Sequence, residues 1–127
     1  MTTERSTNIT IGGDEYTLIL TTKATKEIAG RYGGLENLGD QLMKAENFEM
    51  ALSEIVWLIT LLANQSILIH NLKNKEQPKE LLTEELVELL TVPADLATYK
   101  SAIMDALLKG TKRNIESEED PKNVAVE

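Results

Sequence analysis

The chain has 127 residues, a hydrophobic fraction of 42% and a formal net charge of −8, which is the usual size of one domain with enough aliphatic side chains for a core. No cluster of Lys or Arg offsets the acidic balance, so direct binding to phosphate backbones is not expected, and an acidic mimic of nucleic acid is the related reading left open. The absence of cysteine excludes a disulfide scaffold, a thiolate nucleophile and a cysteine-based zinc site, and it is what a reducing cytosol permits.

The polar stretch from Met1 to Asn8 lacks the apolar core of a signal peptide, and residues 1–7 read as a flexible N-terminus. Residues 8–20 read as a β-hairpin. Ile9 and Ile11 alternate with Asn8 and Thr10, and Tyr16, Leu18 and Leu20 alternate with Thr17 and Ile19. With Gly13-Asp14 as a two-residue loop, Ile11 would face Tyr16 and Ile9 would face Leu18. That puts the larger apolar side chains on one face, which helices must cover.

A helix is predicted after Thr21 or Thr22, with Ala24, Ile28 and Tyr32 as its buried stripe and Gly33-Gly34 as its stop. A short amphipathic turn or helix with Leu35, Leu38, Leu42 and Met43 follows. Asn47 then caps the longest helix, about 48 to 72, whose broad face carries Phe48, Leu52, Ile55, Val56, Ile59, Leu62, Ala63 and Ile69. Trp57, Leu58 and Leu61 fall beside or opposite that face. A helix apolar nearly all round is either buried in the middle of a fold or shared with a partner. Its most apolar run, Ile55 to Ala63, is nine residues, about half the length a bilayer demands, so a soluble chain is expected.

A polar connector from Asn71 to Pro78 leads to Thr83, a hydroxyl cap followed by Glu84 and Glu85 near the positive end of a helix dipole. This helix carries Leu86, Leu89 and Leu90 and stops before Pro93. A last helix, about Ala94 to Lys109, turns Leu96, Tyr99, Ile103, Ala106 and Leu107 inward, with Gly110 as its stop. From Thr111 to Glu127 the composition turns acidic and reads as a disordered tail. The expected fold is mainly α, with a small N-terminal β-hairpin packed on a compact bundle of about four to five helices. One globular domain over 8–110 precedes the acidic tail, 111–127.

Chemistry is sparse. His70 stands alone, without an acid or nucleophile beside it, and reads as a helix-terminal or interface histidine, with a pH-responsive contact as the sharper alternative. Glu84 and Glu88 share a helix face, yet an exposed first turn explains them as dipole partners rather than an acid/base pair. Gly12-Gly13 and Gly33-Gly34 are too short to cradle phosphate, and no nucleotide, hydrolase or zinc-protease motif occurs. No enzyme activity, cofactor or metal is expected. Trp57 reads as core or as an interface anchor. The candidate partner-binding residues are Trp57, Leu58, Leu61 and Ile69.

The segment Ile9-Thr10-Ile11-Gly12-Gly13-Asp14-Glu15-Tyr16-Thr17-Leu18, continuing through Thr21 to Ile28 and on to Arg31-Tyr32-Gly33-Gly34-Leu35, resembles the tail assembly chaperones of long-tailed bacteriophages and of related prophages and gene transfer agents. In that family a short hairpin leads into a helix that ends at a glycine after an aromatic, and a long apolar helix and two shorter helices follow. The likeness covers about residues 8 to 110. It implies a non-catalytic helper in the host bacterial cytoplasm, absent from the mature virion. Such a helper binds the tape measure protein, keeps it soluble and helps recruit tail tube subunits. A frameshifted longer form exists in many relatives. Self-association into a homo-oligomer would protect the apolar surface before the client arrives. The alternatives are a small helical phage regulator or adaptor binding a host protein, a structural virion component, and a hydrolase using Glu84 and Glu88.

Overall fold

The computed structural model describes residues 6–34, 37–38 and 48–119, with the backbone alone at 48–51 and 112–119. Strands β1 (Ser6–Ile11) and β2 (Asp14–Ile19) form an antiparallel hairpin. Four helices follow among the described residues: α1 (Thr22–Tyr32), α2 (Phe48–Lys73), α3 (Glu84–Leu90) and α4 (Pro93–Glu119). The fold is mainly helical with an N-terminal hairpin, as the sequence predicts. Leu35, Leu42, Met43 and the Asn47 cap lie outside the described residues, as do 1–5 and 120–127.

The hairpin turn differs from the expected one. Gly12 and Gly13 form the loop at φ +60 and +88, the signs a type I′ turn needs at both central positions and which glycine adopts without steric cost. Ile9 therefore pairs with Tyr16 and Ile11 with Asp14, while Leu18 faces Thr7. The register moves by two residues against the expectation. Two is the side-chain period, so the buried face is unchanged, and Ile9, Ile11 and Leu18 all lie in the core.

Strand β1 lies along α4 and is fastened to it at three points. The Tyr99 hydroxyl donates to the Thr10 carbonyl at 2.6 Å, Thr7 Oγ1 to Asp105 Oδ2 at 2.7 Å, and Lys109 Nζ to the Ser6 carbonyl at 3.0 Å. Strand β2 packs on α2. In α1, Thr21 caps the first turn by accepting from the Ala24 amide, and Gly33 ends the helix at φ +87. Ala24 and Ile28 are fully buried.

Helix α2 touches β2, α1, α3 and α4, which resolves its all-round apolarity in favour of a central position. Its 22-residue stretch Leu52–Lys73 is long and apolar enough to cross a membrane by length and composition, and half of its most apolar 18-residue window is buried within the fold. The polar residues inside it are satisfied. Thr60 Oγ1 donates to the Val56 carbonyl, while Gln65 Nε2 donates to the Leu61 carbonyl and its Oε1 accepts from Thr21.

Helix α4 opens with Pro93 at its first position, where the missing N–H costs nothing, and the Asp95 carboxylate accepts from the Val92 amide in half of a capping box. Leu96, Tyr99, Ile103, Ala106 and Leu107 are buried as predicted. Gly110 does not stop this helix. The backbone stays helical to Glu119, so residues 111–119, read from composition as tail, continue α4, and the next helix breaker in the sequence is Pro121. A methyl group at Gly110 would sit 2.9 Å from Leu20 Cβ and Cδ2. Glycine is there to let α4 approach the end of the hairpin.

Candidate partner-binding surface

Two asparagines on α2 position the segment that leads into α3. Asn64 donates to the Leu82 carbonyl at 2.9 Å and accepts from the Leu82 amide at 2.7 Å. Asn71 makes the same pair of bonds with Lys79, at 3.0 and 2.8 Å. Seven helical residues advance about 10.5 Å, and three extended residues reach about 10 Å. The two side chains therefore match the backbone repeat of the strap they hold. Leu82 is turned inward and Leu81 is left 46% exposed.

Thr83 then caps α3 by accepting from the Leu86 amide, with Glu84 and Glu85 in the first turn. At about 100° per residue, Leu89, Leu86, Leu90 and Val87 follow one another round an arc of roughly 160°. Exposure is 74% at Leu89, 40% at Leu86 and 44% at Leu90, and Val87 is fully buried. The helix is held by one edge of its apolar stripe, against α2, and the rest of the stripe faces outward. Leu90 is bordered by the hairpin turn, where a Cβ on Gly12 would come within 3.0 Å of it. Val92, 57% exposed, continues the surface. Of the apolar residues this helix carries, Val87 is the one sealed in the core, while Leu86, Leu89 and Leu90 stay exposed. In seven residues, four apolar side chains span more arc than a single neighbouring helix can cover.

Of the four residues proposed from sequence as partner contacts, Leu58 is sealed in the core and Trp57, Leu61 and Ile69 are half-buried. Leu58 is fully buried and offers a partner no surface, because α2 is surrounded on that side as well. Leu61 is half-buried and packed against the core. Ile69 is half-buried. Trp57 is half-buried too, against Arg31 and Tyr32 of α1. The Arg31 guanidinium lies 4.3 Å from the centre of its ring, and Tyr32 meets it edge-on at 6.1 Å and 71°.

Arg31 also forks onto Glu54, with Nε and Nη2 at 3.1 and 3.2 Å from the two carboxylate oxygens, and the Tyr32 hydroxyl donates to the same Glu54 oxygen. Partial burial pushes the Glu54 carboxyl up, but the hydrogen bonds from Arg31 and Tyr32 and the Arg31 charge outweigh it and hold it below the ordinary carboxylate range. Burial first, and the bond to Glu54 second, raise the Tyr32 hydroxyl well above its usual value. The four residues clamp α1 to α2, occupying the side chains that would otherwise suit an interface.

No catalytic constellation is assembled among the described residues. Glu84 and Glu88 are exposed on the far side of α3 from its leucines. His70 is half-buried near the end of α2, where its Nδ1 lies 3.3 Å from Asn74 Nδ2. An open hollow lined by residues 72–77 follows it, and no group of three or more metal-ligating side chains is found among the described residues. Set against known proteins, the chain matches no protein-family model, no curated protein and no solved structure.

Proposed function

We propose that this chain is a non-catalytic helper that binds another protein through the outward leucines of α3 and its flanks. The observation that carries this reading is the run Leu81, Leu86, Leu89, Leu90 and Val92, each at least 40% exposed within twelve residues. Single exposed apolar residues are ordinary, whereas a grouped set rimmed by charge marks an interaction surface. An amphipathic helix presenting a leucine stripe is a common way of holding a helical client, and a net charge of −8 would keep the resulting complex in solution.

The resemblance in the hairpin and first helix supplies the more particular proposal. The chain is a tail assembly chaperone of a long-tailed phage or prophage, acting in the bacterial cytoplasm. It holds the tape measure protein soluble and brings tail tube subunits to it, and it is absent from the finished particle. Co-expression with the long coiled-coil protein encoded nearest to this chain should raise that protein's soluble yield, and Leu89→Asp should remove the gain while the chaperone itself stays folded. An unchanged yield with and without the chain would sink the proposal.

A further inference from the structure

We infer that the α3 surface accepts an amphipathic helix whose apolar stripe is flanked by lysine or arginine, an inference that rests on the protein-binding reading above and specifies the partner. Charge supplies the argument. From Glu80 to Tyr99 the chain carries Glu80, Glu84, Glu85, Glu88 and Asp95 and no basic residue. The three acids of α3 are all exposed. Glu85 borders Leu89 at about 40° round the helix, on the edge of the stripe away from Val87. Beside Leu90 lies the hairpin turn, where a Cβ on Gly12 would come within 3.0 Å of it, and the exposed Asp14 follows that turn as the register partner of Ile11. The leucine surface therefore has Glu85 along its outer edge, on a helix with no basic residue.

A second copy of this chain is a poor occupant of such a surface. A two-fold contact would set the same acids against themselves, and like charges brought together across an interface cost affinity. A helix with cationic flanks gains from those acids, and its aliphatic stripe covers Leu86, Leu89 and Leu90. Lysine and arginine stems would also lie along the outer leucines while their charged ends stay in water.

The test uses the full chain and two synthetic helical peptides with the same leucine stripe, one flanked by lysines and one by glutamates. Fluorescence anisotropy of the labelled peptides reads binding. The lysine peptide should bind, and its affinity should fall about tenfold or more between about 0.05 and 0.5 M salt. Leu89→Ser should weaken binding by roughly tenfold, and Glu85→Gln should both weaken it and flatten the salt dependence. Equal binding of the two peptides, or lysine-peptide binding indifferent to Leu89→Ser, would overturn the inference. If neither peptide binds while the chain still solubilises a client through Leu89, the partner chemistry proposed here is wrong and the protein-binding reading stands. If the chain dimerises through Leu89, a second copy is the occupant and the inference fails.

Discussion

Replacing Gly110 by alanine tests the packing of α4 on the hairpin, because helix propensity and packing push in opposite directions there. In an open helix interior the change stabilises by about 1 kcal/mol. Here the new methyl would meet Leu20 Cβ and Cδ2 at 2.9 Å, and Cβ is tied to the backbone, so no simple rotation relieves it. Overpacking of this kind costs about 1–3 kcal/mol, leaving a net loss of roughly 0–2 kcal/mol. The decisive quantity is the double-mutant cycle with Leu20→Ala. Alone, that truncation of a buried leucine costs about 2–5 kcal/mol. In its background the Cγ and Cδ2 contacts are gone while the 2.9 Å approach to Cβ remains, so Gly110→Ala should lose part of its cost without turning stabilising. Urea unfolding of the four variants should therefore show a coupling of about 0.5–2 kcal/mol, the share of the cost that Cγ and Cδ2 impose. A coupling under about 0.5 kcal/mol would refute the close approach of α4 to Leu20.

Three further predictions concern the surface and the clamp. Val87→Ala should destabilise by about 1–3 kcal/mol, while Leu89→Ala, at 74% exposure, should stay within about 0.5 kcal/mol of wild type in urea unfolding. Asn64→Ala leaves the Leu82 amide and carbonyl without their partner, so hydrogen exchange at that amide should speed up by about tenfold or more, and an unchanged rate would contradict the strap. Because the folded Glu54 carboxyl sits below its ordinary value, its contribution is complete above about pH 4.3 and is lost as pH falls through the lower folded value. The stability gap between wild type and Glu54→Gln should accordingly shrink between pH 7 and pH 3, and a constant gap would remove Glu54 from the clamp's pH response.

Much of the fold could be read from local signals. Alternation marked the strands of the hairpin, Thr21 and Thr83 marked two helix starts, and the spacing of Leu96, Tyr99, Ile103 and Ala106 marked the buried face of α4. What could not be read depended on neighbours far along the chain. Gly110 carries the same signal whether it caps a helix or admits Leu20 from ninety residues away. Gly12-Gly13 and Gly13-Asp14 compete as turns until the demand for positive φ at both positions is weighed. Leu58 looked outward only on the assumption that α2 had one covered side. For the surface, the informative signal was present in Glu84-Glu85-Leu86-Val87-Glu88-Leu89-Leu90, where four apolar residues in two turns exceed what one edge can bury. The strap made by Asn64 and Asn71 had no such signal, since asparagine spacing on a helix does not say which backbone it will hold.

Residue-resolved methyl spectra of the chain, recorded with and without a soluble fragment of its client, test the central claim most directly. Shifts concentrated at Leu81, Leu86, Leu89, Leu90 and Val92, with Leu58 and Ile59 unmoved, are the expected result. Shifts centred on Leu58, Leu61 and Ile69, with the α3 leucines silent, would contradict it and return the client to the long helix.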